Sequence, residues 1–218
     1  MTFGEIYGRV DNPRTLPSLV VAKELGLDLV LREPKTPSEE DYLKLNPQGL
    51  IPTFVGADGF VLTESPAIVT YIASQKDNHT LLGKTKQDAA SVNRWLSYSN
   101  TQLLPHIGGW FAPLTGRKPY DAASVESARA NALRNIAIVA DYLQTREFLV
   151  GDGVTVADLY VAGHLTRGFA FVLDREWRAQ EQNRGIVAWA ERVYALPSWR
   201  AVAGEQVFIE KAVTYTPN

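Results

Sequence analysis

The stretch from Asn46 to Ser65 constrains this chain more than any other. Asn46-Pro47-Gln48-Gly49-Leu50-Ile51-Pro52 ends on a proline that stands directly before an apolar run, Thr53-Phe54-Val55. A proline in that place cannot donate to a sheet ladder, and X-Pro bonds adopt cis far more readily than other peptide bonds. A cis Pro52 would turn the Ile51 backbone outward. Asp58-Gly59 then separates Thr53-Phe54-Val55 from Phe60-Val61-Leu62-Thr63, which reads as an antiparallel hairpin over a tight turn. Ser65 followed by Pro66 is an N-cap ahead of the residue best tolerated in a first helical turn, and Ile68, Tyr71 and Ile72 give that helix its apolar face.

The flanking segments extend this reading. Phe3 to Val10 predicts a first strand, and Leu16, Leu19, Val20 and Leu25 recur near a helical period up to a capping Gly26. Leu29 to Arg32 predicts a second strand, and Ser38 with Asp41 forms a capping box that opens a short helix through Leu45. Residues 1–75 thus read as a βαβαββα unit with a mixed sheet. Residues 76–86 turn polar and lose apolar periodicity, as a linker does. From Gln87 onward only helical patterns recur: Val92, Trp95, Leu96, Ser99 and Leu103, then Ala128, Leu133, Ile136, Val139, Ala140 and Leu143. Thr155 with Asp158 is a second capping box, read here as folding chemistry, and Val187 to Tyr194 forms a late helix that stops before Pro197. Residues 87–218 are expected to form an all-α bundle, with Thr214 to Asn218 resembling the start of a linker.

Several function classes fall away on composition. Cysteine is absent, which removes disulfides, thiolate metal sites and any mechanism in which a protein thiol attacks. The 22 basic and 24 acidic residues give a net charge of -2 with no basic run to track a phosphate backbone, so nucleic acid is not an expected partner. No window approaches the length of a membrane span and the N-terminus lacks the pattern of a leader, so a cytoplasmic protein with no membrane partner is expected. His79, His106 and His164 show no ligand spacing with nearby carboxylates, and no metal is expected.

Asn46 to Pro52, followed by the hairpin and Glu64-Ser65, resembles the glutathione-binding pattern of cytosolic glutathione transferases, and the resemblance runs through the helical half. A closer likeness lies in Arg94-Trp95-Leu96, Ala112-Pro113-Leu114-Thr115-Gly116, Pro119-Tyr120 and Glu176-Trp177-Arg178-Ala179-Gln180. These resemble the transferase-like region of elongation factor 1B gamma subunits, fungal ones above all. The resemblance implies a thioredoxin-like N-terminal domain whose Leu50-Ile51-Pro52 backbone pairs with the cysteinyl residue of glutathione. It also implies that Glu64 meets the γ-glutamyl ammonium while Ser65 meets the carboxylate beside a helix N-terminus.

Without a protein thiolate, the chemistry left to such a fold is activation of glutathione's own thiol, whose ordinary pKa of about 8.5 leaves little thiolate at neutral pH. Family members place a tyrosine or serine at the end of the first strand or the start of the first helix. Here the serine position falls on Asn12, with Arg14 and Thr15 just beyond it. Asn12 ranks first as thiolate donor and Arg14 second; Tyr7 matches a family tyrosine that does not serve the thiol. Gly49 replaces a histidine that in some members reaches the glycyl end of the tripeptide. His106, Trp110 and Phe111 follow the first long helix of the second domain and are candidates for an electrophile pocket, whereas Trp95, Trp177, Trp189 and Trp199 read as packing residues. The expectation is a homodimeric glutathione transferase that uses glutathione as cosubstrate on a small hydrophobic electrophile. Stand-alone fungal relatives include auxiliary enzymes of secondary metabolism. The alternative is a non-catalytic scaffold that joins an elongation factor complex.

Overall fold

The computed structural model describes residues 2–33, 40–77 and 80–216. The N-terminal half contains β1 (Gly4–Tyr7), α1 (Leu16–Glu24), β2 (Leu29–Arg32), α2 (Glu40–Leu45), β3 (Thr53–Gly56), β4 (Val61–Leu62) and α3 (Ser65–Ala73). The strands form one mixed sheet in the order β2-β1-β3-β4. β1 runs parallel to β2, with Gly4 opposite Leu29 and Tyr7 opposite Arg32, and antiparallel to β3, with Tyr7 opposite Thr53. β3 and β4 form the expected hairpin: the Gly56 N–H donates to the Phe60 carbonyl, and Gly59 takes the positive φ that its turn requires. β1 is shorter than the sequence suggests because both neighbours end opposite Tyr7 and the chain then turns, the Asn12 N–H donating to the Arg9 carbonyl. The predicted Ser38 cap lies outside the described residues, as does His79; α2 is described from Glu40.

The second half is helical: α4 (Lys86–Tyr98), α5 (Leu104–Leu114), α6 (Ala122–Leu143), α7 (Val156–Phe171), α8 (Arg175–Ala179), α9 (Arg184–Tyr194) and α10 (Pro197–Ala203). α4 passes into α5 through a π-helical turn, Ser99–Leu103. Pro197 ends one helix and, at a first-turn position where its missing N–H is harmless, opens the next. α7 is apolar almost all round and runs through the core with Leu159, Tyr160, Val161, Ala162 and Leu165 buried. Its N-terminus is fixed by Asp158, a fully buried carboxylate that accepts from the backbone N–H groups of Leu149 (2.8 Å) and Thr155 (2.9 Å), the Thr155 hydroxyl (2.9 Å) and the Trp189 indole (2.8 Å).

α1 packs directly on α7. A Cβ at Gly163 would stand 2.7 Å from Pro17 Cγ, so only glycine lets the two helices approach this closely. The residues after α10 return along the bundle rather than leaving it. The N–H groups of Ile209 and Val213 donate to the carbonyls of Phe169 and Phe171, and Tyr215 stacks on Tyr120 with ring centroids 3.7 Å apart.

Candidate functional site

The loop between α2 and β3 is held from beneath by a buried polar cluster. The Asn46 amide donates to the Leu50 carbonyl (2.8 Å) and to Thr53 Oγ1 (3.1 Å), and its oxygen accepts from the Gln48 N–H (3.1 Å). Tyr42 also donates to the Leu50 carbonyl, and its hydroxyl lies 2.9 Å from Thr53 Oγ1. Burial raises the Tyr42 pKa, so the phenol stays protonated and able to donate. The Ile51-Pro52 bond is cis, as the proline ahead of β3 suggested.

After the hairpin, Glu64 sits at φ 68° and ψ 112°. A non-glycine residue there costs on the order of 1–3 kcal/mol, and such strain collects at ligand clamps. Ser65 then starts α3, nearly buried, its hydroxyl sharing a 2.7 Å hydrogen bond with the hydroxyl of Tyr160 from α7. Leu50, Ile51, Pro52, Glu64 and Ser65 all line one cavity of about 250 Å³, together with Gln48, Thr63, Arg14 and Asn100. It offers the loop backbone at Leu50-Ile51-Pro52 ahead of β3, a carboxylate, a helix N-terminus and a guanidinium, the set needed by a peptide with an ammonium, a carboxylate and a further anion.

Arg14 also lines a second cavity, of about 650 Å³, with Asn12, Leu104, Gly108 and Phe111. Its Nε donates to Asn100 Oδ1 at 3.3 Å, so a residue of the π-helical turn steadies the guanidinium between the two spaces. Asn12 is placed differently. Its side-chain oxygen accepts from the N–H groups of Arg14 (2.9 Å) and Thr15 (3.3 Å), capping the turn that leads into α1. Thr15 is fully buried, and Tyr7 lines neither cavity: its hydroxyl points to Glu5 at 3.4 Å and its ring packs 5.7 Å from Tyr42. Phe111 faces the second cavity and stacks on Phe171 (5.2 Å, 8°), whereas Trp110 is buried and, like His106, lines neither space.

Behind Arg14, Tyr160 and His164 are fully buried. Burial pushes the Tyr160 phenol up to about 12. Burial, and secondarily the Arg14 charge, pulls the His164 imidazole down to about 3; its Nδ1 lies 2.8 Å from Ser99 Oγ and its Nε2 has no partner among the described residues. Asn100 and Tyr160 were not singled out from sequence, and Asn46 and Gln48 were named only as members of the motif. Asn46 opens the motif and carried a signal as a turn residue braced beneath it. Asn100 carried none, because the π turn that aims it leaves no mark on the apolar period.

With this geometry in view, the likenesses to known proteins are specific. Residues 4–74 match the family model for the glutathione S-transferase N-terminal domain, and residues 89–197 match that for the C-terminal domain. The chain is 43% identical over 219 residues to glutathione S-transferase stcT of Emericella nidulans, covering 100% of this chain and 99% of that protein. It is 31% identical to elongation factor 1-gamma-A of Xenopus laevis, covering 99% of this chain but 50% of that protein. The crystal structure of the GST-like domain of elongation factor 1-gamma from Saccharomyces cerevisiae superposes with a TM-score of 0.84 at 30% identity, each chain covered in full. Two family models placed end to end, with a relative matched over nearly its whole length, leave one assignment: this chain belongs to the glutathione S-transferase family.

Proposed function

We propose that the protein is a glutathione transferase that binds glutathione in the first cavity and presents its thiolate to the second at Arg14. The observation that carries this reading is that Arg14 lines both spaces. The γ-glutamyl ammonium meets Glu64, its carboxylate meets the α3 N-terminus at Ser65, and the cysteinyl backbone pairs with Ile51. The sulfur then lies toward Arg14, where a fixed cation and the start of α1 favour S⁻ over S–H. The thiol proton leaves to solvent. A sulfur lone pair forms the new C–S bond, and the displaced pair departs with a leaving group or is protonated by water after addition.

Arg14 is preferred to Asn12 because the Asn12 oxygen is committed to capping and an amide donor lacks the charge. Calorimetric titration with glutathione, run beside turnover of a generic aryl halide, tests the reading. Binding that Glu64→Ala weakens supports it, and absence of binding at millimolar glutathione overturns it. The second reading, a scaffold in an elongation factor complex, is favoured by the likeness to the gamma subunit, of which this chain spans about half. That role requires capture of elongation factor partners from lysate, undisturbed by Glu64→Ala. A homodimer belongs to the proposal, and sedimentation at twice the 24.1 kDa chain mass is the expected result.

A further inference from the structure

The second cavity is not an apolar slot. Its wall carries Arg9, Arg14, Arg117, Lys118 and Arg167 against a single carboxylate, Asp11, in a chain whose net charge is -2. Three of these cations already have partners, Arg9 lying 3.8 Å from the Asp11 carboxylate. Arg14 bonds to Asn100 and borders the first cavity. Arg167 donates to both the carbonyl and the carboxylate of Asp11, each at 2.8 Å, which also leaves Asp11 largely spent as a counter-charge.

Arg117 and Lys118, in the turn after α5, have no ion pair with any described residue. The turn is set by Gly116 at positive φ and by the Arg117 N–H donating to the Ala112 carbonyl. It folds the Arg117 guanidinium back over the stacked aromatic pair, 5.6 Å from the Phe111 centroid and 5.1 Å from that of Phe171. The result is an aromatic face with unpaired positive charge at its rim and a further cation, Arg14, at the end where the first cavity begins.

We propose that the electrophile of this cavity is an aromatic anion: a planar ring bearing a carboxylate or phenolate, the ring against Phe111 and the charge met by Arg117 and Lys118. The proposal rests on the reading of the first cavity as the glutathione site. A cationic cleft of this kind concentrates anionic ligands and speeds their capture, and the effect weakens with salt. It also offsets the repulsion between substrate charge and thiolate that an apolar pocket would leave standing.

The test compares 4-chloro-3-nitrobenzoate with uncharged 4-chloro-3-nitrobenzamide; in each, sulfur forms the C–S bond and chloride leaves with the C–Cl pair. After correction for the uncatalysed rates, kcat/KM should favour the benzoate by about tenfold at low ionic strength, and the ratio should fall as salt is added. In Arg117→Gln/Lys118→Gln the ratio should drop toward one. A native protein with no preference for the benzoate, or a ratio that the double substitution leaves alone, overturns the proposal.

A second measurement needs no turnover: fluorescence titration with 8-anilinonaphthalene-1-sulfonate against uncharged N-phenyl-1-naphthylamine. The sulfonate should bind more tightly, and the double substitution should weaken it by about tenfold. Selective binding of the anion without any glutathione-dependent turnover supports the charged cavity and counts against the transferase reading instead. If turnover is absent and the sulfonate binds no better than the neutral probe, the proposal fails.

Discussion

Replacing Arg14 with glutamine keeps a donor within reach of Asn100 but removes the charge shared by the two cavities. A hydrogen bond to a charged partner contributes about 1.5–3 kcal/mol, so kcat/KM should fall by about tenfold to a hundredfold. The pKa of the bound thiol should rise by about one unit, read from the pH–rate profile and from thiolate ultraviolet absorbance. Asn12→Ala should instead lower stability by about 1 kcal/mol in urea titration, as loss of a helix cap does. A larger thiol shift in Asn12→Ala than in Arg14→Gln would reverse the two assignments. The sequence register pointed to Asn12 because it stands where relatives carry serine. An asparagine directly before proline at the start of a helix is also a cap signal, and counting alone does not separate the two uses. His164 makes a different prediction at this scale. Its folded pKa of about 3 lies below the ordinary 6.5, so its contribution to stability is complete above pH 6.5 and is lost as pH falls toward 3. His164→Gln should flatten the corresponding fall in the urea midpoint.

Among the elements, α7 is the one on which both halves lean. It supplies Tyr160 to Ser65, holds Asp158 among four donors and meets α1 at Gly163. Gly163→Val would drive a side chain into Pro17, and overpacking of this kind costs about 1–3 kcal/mol. Because α1 follows Arg14 directly, the same variant should raise the KM for glutathione as well as lower the melting temperature; a melting change with the KM unmoved would mean that α1 adjusts without carrying Arg14. Most elements were legible in advance. The hairpin followed from Asp58-Gly59 between two apolar runs, and the start of α7 from Thr155 with Asp158; α3 begins beside Ser65-Pro66, but Ser65 is its first helical residue and not its cap, because Glu64 takes the N-cap position and the Ser65 hydroxyl bonds Tyr160. The π turn was not legible, since Val92, Trp95, Leu96, Ser99 and Leu103 keep a helical spacing straight through it.

At the scale of the whole molecule, what the sequence could not disclose is what only the fold assembles. Arg9, Arg117 and Arg167 lie far apart along the chain, each an ordinary surface cation until β1, the α5–α6 turn and α7 bring them to one wall. The cradle from Leu50 to Ser65 was readable because its parts are local and its spacing is set by a single hairpin. If glutathione occupies that cradle, a concentration of one hundred times its Kd should add about 2.7 kcal/mol to the unfolding free energy, seen as a higher melting temperature. Glu64→Ala should lose most of that gain. The bond between Ser65 and Tyr160, with that between Arg14 and Asn100, joins the first cavity to side chains of the helical half. If the first cavity holds glutathione as proposed, transplanting the helical half of a relative in order to change substrate range would also alter how the thiol is held. On that reading, exchange of modules would not change selectivity while inheriting reactivity intact, and the two traits are expected to drift together.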